Sequence, residues 1–172
     1  LNTKEITIVY DGQDKEITKL GTEKREKVTY EELPEVLVDA IIATEDSRFH
    51  QHNGFDAPRF LKASLGQITG NSDAGGASTL SMQVIKNTFT SSVSGGVEGI
   101  IRKFTDIYLA VFKLEKNYSK EEIIEFYVNN HFLGGNIYGV QEASREYFGK
   151  DVGDLNLSEA AILAGMFKSP NA

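Results

Sequence analysis

Helix signals run through this chain from about residue 27 to its end, and they constrain its fold more than any other feature. Thr29-x-x-Glu32 and Ser119-x-x-Glu122 both have the pattern of a capping box, which satisfies the free backbone amides where a helix starts. Pro34 follows the first box, at a place where its missing N–H group does no harm. Apolar residues then recur every three or four positions. The sequence therefore predicts a mainly α fold.

The N-terminal residues have a different pattern. Apolar and polar residues alternate between positions 4 and 20 around Asp11-Gly12, which is a strong signal for a β-hairpin. We expect residues 1–26 to form a small N-terminal hairpin or linker segment and residues 27–172 to form one helical domain. The last five residues, from Lys168, look like a loop cut midway, so this domain is expected to be truncated at its C-terminus.

The composition argues against several functional classes. A formal net charge of −7 argues against a nucleic-acid binder, because neutralising phosphates requires a basic face. The lack of cysteine removes disulfides, thiolate zinc sites and cysteine nucleophiles. The three histidines lack the spacing of a zinc protease, and neither a P-loop nor a serine nucleophile elbow is present. No apolar run approaches the ~20 residues that span a bilayer.

The stretch from Glu45 to Gly54, which reads E-D-S-R-F-H-Q-H-N-G, is the first candidate site. Glu45 and Asp46 stand at the end of an apolar helical pattern, where the helix dipole disfavours carboxylates. Stability alone would not choose acids there, and a carboxylate in such a place gains affinity for a proton, as a general base requires. A solvated helix end with histidines present by chance explains the same residues equally well.

The second polar set begins with a stretch rich in glycine and polar residues, Gly66 to Gly76, which we expect to be a loop. Ser78 can cap the helix that follows, and the free amides of that helix start suit an anion. Gln83, Lys86 and Asn87 are three or four residues apart and share one face of this helix. Judged alone, the segment is better explained as a capped surface helix.

The third polar set is Arg102, Lys103 and Asp106. The two cations can hold a pyrophosphate, with Asp106 as a carboxylate beside it. Arg102 and Asp106 are also four residues apart on a helix, so they can simply form a surface ion pair worth under ~1 kcal/mol. The ion pair is the better explanation of this set alone.

Taken together and in this order, the three sets resemble the motifs of the peptidoglycan glycosyltransferase domain, family 51. The first family motif, E-D-x-x-F-x-x-H-x-G, is matched at every fixed position. The second, G-x-S-T-x-x-Q-Q-x-x-K-N, has Met82 in place of its first glutamine, and the third, R-K-x-x-E, ends in Asp106 instead of glutamate. Two further motifs resemble stretches that begin at Tyr127 and Leu157. The resemblance covers residues 27–172, and the N-terminal hairpin favours a bifunctional (class A) penicillin-binding protein over a monofunctional enzyme.

The resemblance implies a lysozyme-like helical fold that polymerises lipid II into β-1,4-linked glycan strands, with inversion at the sugar and release of undecaprenyl pyrophosphate. It makes Glu45 the catalytic base and Asp106 a second catalytic carboxylate, whose shorter side chain falls about 1.5 Å short of the family position, one C–C bond. Asp46 is expected to hold Arg48 or the backbone of its motif. The implied substrate-binding residues are Asp46, Arg48, Phe49, His52, Ser78, Thr79, Gln83, Lys86, Asn87, Arg102 and Lys103.

Partners and a location follow from the same resemblance. The expected partners are lipid II, the growing glycan chain, the bacterial membrane surface and a transpeptidase domain in the full-length protein, but no nucleic acid. The expected location is the extracytoplasmic face of the bacterial cell membrane, with the anchor outside this chain. No cofactor is required and no metal ligand is assigned, while a Mg²⁺ or Mn²⁺ ion at the pyrophosphate is left open.

Three alternatives stay open at this point. The apolar helix that carries Phe60, Leu61, Leu65 and Ile68 is either a membrane-facing jaw or an ordinary core helix. A lysozyme-like hydrolase or lytic transglycosylase also uses an acid on a helical fold, but it has no pyrophosphate for a basic cluster to hold. A non-catalytic lipid- or glycan-binding domain, degenerate at positions 82 and 106, conflicts with the intact first motif.

Overall fold

The computed structural model describes residues 7–10, 16–20, 24–70, 76–89 and 96–168. This part of the chain is mainly helical, which confirms the predicted fold class. Its α-helices are α1 (Glu35–Glu45), α2 (Ala57–Thr69), α3 (Leu80–Phe89), α4 (Gly96–Leu109), α5 (Glu115–Asn117), α6 (Lys120–Asn130), α7 (Val140–Phe148) and α8 (Leu157–Lys168). Shorter elements are a π-helical turn at Ala110–Leu114 and 3₁₀ turns at Tyr30–Glu32, Phe49–Gln51 and Val152–Asp154. Within the described ranges, none of the helices has both the length and the apolar character needed to cross a membrane.

The chain divides into two compact units. The terminal unit combines Leu1–Ile41 with Val128–Ala172, and the central unit is Ile42–Tyr127. All the residues predicted to form the functional site fall within the central unit. The division into residues 1–26 and 27–172 is a different one, and it stays a prediction.

The predicted N-terminal hairpin is confirmed in its strands. Strand β1 (Thr7–Tyr10) pairs antiparallel with β2 (Glu16–Leu20). The predicted turn at Asp11-Gly12 lies outside the described residues. A second, very short sheet was not predicted, and in it β3 (Lys24–Arg25) pairs in parallel with β4 (Ile137–Tyr138).

Local capping signals decide where the helices of the chain start and stop. The N–H of Thr29 donates to a carboxylate oxygen of Glu32 at 2.7 Å, but this box closes a 3₁₀ turn, and α1 begins only at Glu35. At the start of α6, Ser119 and Glu122 form the reciprocal hydrogen bonds of the predicted box, at 2.7 and 3.2 Å. Gly149, with φ +67°, ends α7 as its left-handed C-cap.

Two predicted boundaries in the central unit were wrong. Helix α2 runs through the buried Gly66 to Thr69, because its left-handed C-cap is Gly70 (φ +72°), whose N–H donates to the carbonyl of Gly66. The residue that caps α3 is Thr79, whose hydroxyl accepts a hydrogen bond from the N–H of Met82 at 3.2 Å. Ser78 is therefore one residue too early to cap the helix.

The apolar face of α4 is exposed. Its large apolar side chains, Val97, Ile100, Ile101, Phe104 and Tyr108, are 54–73% exposed, while Asp106 on the same helix is buried. On α2, Leu61, Leu65 and Ile68 are 61%, 62% and 83% exposed. These three side chains are therefore not core residues, although Phe60 is half-buried against Phe55, with ring centroids 5.4 Å apart.

Candidate active site

Asp46, the residue that follows α1, is the centre of a buried hydrogen-bond network in the central unit. Its Oδ2 accepts hydrogen bonds from Nε2 of His52 and from the backbone N–H of Leu80, both at 2.9 Å. Nη1 of Arg59 lies 3.5 Å from Oδ1. Leu80 starts α3, so its amide is one of those that a helix start leaves without a partner, and the positive end of the helix dipole favours a carboxylate there. Asp46 thus joins the end of α1 to the start of α3.

His52 is held in one orientation by its two ring nitrogens. Nδ1 accepts a hydrogen bond from the N–H of Gly54 at 3.1 Å, so Nε2 is the nitrogen that donates to Asp46. Gly54 has φ +98°, and a Cβ atom there would lie 2.9 Å from the carbonyl carbon of Ala110. The hydroxyl of Thr79 donates to the carbonyl of Gly54 at 2.7 Å. The histidine and glycine of the first motif therefore serve to pack this turn against α3 and the π-helical turn.

The expectation that Asp46 holds Arg48 or the backbone of its own motif was wrong, because its side chain contacts His52, Arg59 and the N–H of Leu80. Nε of Arg48 donates to Oδ2 of Asp56 at 3.0 Å, and Asp56 also caps α2 by accepting from the N–H of Arg59 at 3.1 Å. Arg59, which sequence reasoning missed, donates from Nη1 to the backbone carbonyl of Glu45 at 2.8 Å and from Nε to that of Gly76 at 2.8 Å. The sequence did contain a signal for the position of Arg59. Asp56 followed by Ala-Pro is a typical helix start, and it places Arg59 in the first turn of α2.

Glu45 ends α1 with a half-buried carboxylate. Its Oε2 accepts a hydrogen bond from Nε2 of Gln83 at 3.2 Å, and the carbonyl of the same amide faces the hydroxyl of Tyr127 at 3.4 Å. Tyr127 is almost fully buried, and burial together with the negative charge of Glu45 raises its pKa far above the usual value. The phenol therefore stays protonated and donates, which orients the amide so that its NH₂ group points at Glu45.

Helix α3 also carries Lys86, three residues after Gln83, and it brings this cation near Asp106 of α4. Asp106 is buried, and burial raises the pKa of its carboxyl group, although the charges of Arg102 and Lys86 act in the opposite direction. Its Oδ1 is buried with no hydrogen-bond partner among the described residues. The structure therefore brings together a second carboxylate and two of the predicted cations.

The charges around Asp106 suit an anion better than a metal ion. Mg²⁺ and Mn²⁺ prefer several oxygen ligands, mainly carboxylates. The charged neighbours that act on Asp106 are Arg102 and Lys86, both of which repel a cation. In the part of the chain that the structure describes, no group of three or more acids or histidines lies close enough to hold a metal. These residues by themselves do not fit a Mg²⁺ or Mn²⁺ site.

Other predicted site residues differ in their exposure. Asn87 and Lys103 are exposed and Ser78 is half-buried. Phe49 and Thr79 are completely buried. Met82, which replaces a family glutamine, is 4% exposed, so the side chain at this position lies in the core.

A second, partly buried network, also missed from the sequence, lies beside the first motif. Nζ of Lys120 donates to the backbone carbonyl of His52 and to Oε1 of Glu115, both at 2.8 Å. The same ammonium lies 4.2 Å from the ring centroid of Phe49. The hydroxyl of Ser81 donates to Oε1 of Glu115. The signal available in the sequence was a lysine at the first position of a helix, where the dipole disfavours a cation.

Comparison with known proteins gives a consistent family assignment. The model of the transglycosylase family matches residues 13–172. Penicillin-binding protein 1A/1B of Bacillus subtilis is 39% identical over 173 residues, which cover 100% of this chain and 18% of that protein. Penicillin-binding protein 1A of Neisseria lactamica is 43% identical over 164 residues, which cover 95% of this chain and 20% of that protein.

One solved structure shares the name of these relatives. The crystal structure of penicillin-binding protein 1A from Haemophilus influenzae matches with a TM-score of 0.46 and 24% identity, over 99% of this chain and 15% of that one. The chain spans only about a fifth of the length of the curated relatives. Because the family model matches almost the whole chain, with the three polar sets inside the matched range, the chain belongs to the transglycosylase family.

Proposed function

We propose that this chain is a peptidoglycan glycosyltransferase domain that polymerises lipid II during cell-wall synthesis and releases undecaprenyl pyrophosphate. The observation that carries the proposal is the double role of α3. This helix holds Gln83 against the carboxylate of Glu45 and, one turn later, holds Lys86 near Asp106. One rigid element thus contacts the candidate base and carries one cation of the basic cluster, which suits a transfer reaction with an anionic leaving group.

The proposed step transfers one sugar to another. The 4-hydroxyl oxygen of the acceptor forms a bond to C1 of the donor muramyl sugar while Glu45 takes the hydroxyl proton. The bond between C1 and the pyrophosphate oxygen breaks, and its electron pair leaves with undecaprenyl pyrophosphate. A carboxylate acting as general base typically contributes ~10²–10⁴-fold to such a rate. Attack from the face opposite the leaving group inverts the anomeric centre and gives a β-1,4 link.

The cations of α3 and α4 serve the leaving group in this proposal. The charges of Lys86 on α3 and Arg102 on α4 interact with the carboxyl group of Asp106. The exposed Lys103 of α4 is the third positive charge of this group. Together they stabilise the charge that develops on the pyrophosphate, which is often the largest single catalytic contribution. Asp106 keeps the two nearest cations in place beside the leaving group. The step requires no cofactor and no metal ion of its own.

The buried members of the predicted set are assigned to positioning. Asp46, Phe49 and Thr79 have no exposed side-chain surface, and His52 has 4%. Their hydrogen bonds and ring contacts go to other parts of the central unit. Direct contact with lipid II is left to the more exposed residues, Arg48, Ser78, Gln83 and Asn87, together with the three cations.

A membrane surface is proposed as the place where the domain meets its substrate. Helices α2 and α4 each expose large apolar side chains, with Ile68 83% and Val97 73% exposed. Such side chains favour insertion at the boundary between lipid headgroups and acyl chains, where the undecaprenyl tail of lipid II lies. We place the domain at the extracytoplasmic face of the bacterial cell membrane, in a longer protein with a transpeptidase domain. The relatives are named penicillin-binding proteins, and the chain spans 18–25% of their length.

The proposal is tested by offering the protein two substrates, fluorescent lipid II in detergent and preformed glycan strands. We expect polymer from lipid II, no cleavage of the glycan, and inhibition by moenomycin, the donor-site inhibitor of the family. Shortened or 1,6-anhydro-ended strands from the glycan would instead identify a lytic enzyme. Lipid II binding without any turnover would identify a binding domain and contradict the proposal.

A further inference from the structure

We propose that Lys120 is a positioning residue that holds the turn after Glu45 at a fixed distance from α3. The ammonium of Lys120 reaches the turn through the carbonyl of His52, and it reaches α3 through Glu115 and Ser81. The kinetic part of this inference rests on the proposed glycosyltransferase function. The structural part can be tested without any activity.

The location of Lys120 is one that helix stability alone disfavours. It is the first residue of α6, directly after the N-cap Ser119, where the dipole of the helix is positive. Acidic residues are the usual choice there, and Glu121 and Glu122 follow as expected. A cation kept in this position against the dipole must be held by interactions elsewhere, and Lys120 has three of them.

The three contacts of Lys120 are directed at two different segments. Nζ lies 2.8 Å from the carbonyl oxygen of His52 and 4.2 Å from the ring centroid of the fully buried Phe49, and both residues belong to the turn after α1. Nζ also lies 2.8 Å from Oε1 of Glu115, which accepts a hydrogen bond from Ser81 near the start of α3. The side chain of Glu115 is only 6% exposed, so this ion pair is poorly screened by solvent.

The same two segments are joined a second time by Asp46, which accepts from His52 and from Leu80. The hydroxyl of Thr79, which donates to the carbonyl of Gly54, is a further contact between the turn and the start of α3. Loss of the Lys120 set leaves the Asp46 and Thr79 contacts but weakens the connection as a whole, and the turn can then shift relative to Gln83, the hydrogen-bond partner of Glu45. Small displacements of this kind lower the chemical rate, because catalysis depends on the orientation of the reacting groups.

The test compares Lys120→Met with Lys120→Arg and with the matched control Lys116→Met. Lys116 is an exposed lysine on α5, so its replacement removes the same charge without breaking the network. In hydrogen exchange followed by mass spectrometry, K120M is expected to exchange about ten-fold faster over residues 46–54. Exchange in α8, which belongs to the other unit, should be unchanged. K120R, which keeps a cationic donor, should recover most of the protection, and K116M should match the wild type.

In lipid II polymerisation, K120M is expected to lose ~10–100-fold in kcat with KM within about two-fold of the wild type, as expected from misplaced groups. If K120M does not fold, Glu115→Gln replaces it, because the amide keeps the acceptor for Ser81 but removes the charge that pairs with Lys120. Unchanged exchange over residues 46–54 in K120M or E115Q would overturn the inference, as would an equal kcat. A wild type without polymerase activity would refute the proposed function, while the exchange result would still decide the role of Lys120.

Discussion

Asp46 and Asp106 are both buried acids of the central unit, but their surroundings differ. Asp46 accepts hydrogen bonds from His52 and Leu80 and lies next to Arg59. Asp106 has one oxygen with no hydrogen-bond partner among the described residues, and burial raises the pKa of its carboxyl group in spite of two nearby cations. The carboxylate of Asp46 is thus hydrogen-bonded within the protein, whereas the burial of the incompletely bonded carboxylate of Asp106 lowers stability.

The difference indicates that the two acids have different purposes. A fully bonded carboxylate such as Asp46 fixes the positions of the elements around it, here the end of α1 and the start of α3. An incompletely bonded buried carboxylate such as Asp106 is typical of a group retained for chemistry or for a ligand. Both acids lie in motifs, so the sequence alone does not distinguish their roles. Only the contacts of each side chain show that Asp46 fixes the elements around it and that Asp106 does not.

The largest expected effect is the loss of stability on replacing Asp46. Asp46→Ala leaves the N–H of Leu80 and Nε2 of His52 buried without their acceptor. We expect a loss of about 3–5 kcal/mol, because each of these two buried donors is left unsatisfied at about 1–3 kcal/mol. Urea denaturation followed by circular dichroism measures the change.

Asp39→Ala is the matched control for this prediction, because Asp39 is an exposed acid on α1. Its replacement should change the free energy of unfolding by less than about 0.5 kcal/mol. Equal and small losses in the two variants would show that the Asp46 network does not stabilise the domain, and the contrast with Asp106 would then disappear.

A smaller effect is expected from Tyr127→Phe, which tests whether Glu45 is oriented as firmly as Asp46. The substitution removes the hydroxyl that faces the amide of Gln83 at 3.4 Å. Because this contact is long, we expect a loss of about 1 kcal/mol in stability. The kcat for lipid II should fall several-fold and KM should change less than kcat, because the amide of Gln83 is held less firmly against Glu45. A change in KM alone would contradict this role.

The smallest expected effect has the opposite sign and concerns Asp106. Because burial raises the pKa of Asp106 in the folded state, the charged form opposes folding, and stability is lost as the pH rises through that pKa. Asp106→Asn should therefore raise the melting temperature at pH 7, by about 2–4 °C for each kcal/mol gained. The gain should vanish below about pH 4, where an ordinary aspartate is also protonated.

Activity gives the second half of this test. D106N should be more stable at pH 7 and at the same time less active on lipid II, a combination expected for a group kept for function at the expense of stability. A variant that is less stable at every pH would show that the cations outweigh burial, and Asp106 would then resemble Asp46.

Much of the fold could be predicted because its signals are local. The capping box at Ser119, the helix stop at Gly149 and the hairpin strands each depend on residues close together in the chain. Periodicity does not say which face of a helix is covered, and the apolar face around Phe104 is the exposed one.

The candidate site was predictable in its members but not in its connections. The motifs identify Glu45, Gln83 and Asp106, but they do not show that Gln83 bonds to Glu45 across 38 positions of sequence. Arg59 and Lys120 were missed for the same reason, since Lys120 meets His52 across 68 positions. The nearest arginine to Asp46 in sequence, Arg48, turned out to pair with Asp56. Proximity along the chain is a poor guide where helices bring distant residues together.

The most direct test of the account is the rate of lipid II polymerisation by Glu45→Gln compared with the wild type. Glutamine has the same shape and can still contact Gln83, but it cannot take the proton of the acceptor hydroxyl. We predict a loss of ~100-fold or more in kcat, within the range of general base catalysis, with a melting temperature close to that of the wild type. Equal activity of the two proteins would contradict the assignment of Glu45 as the base.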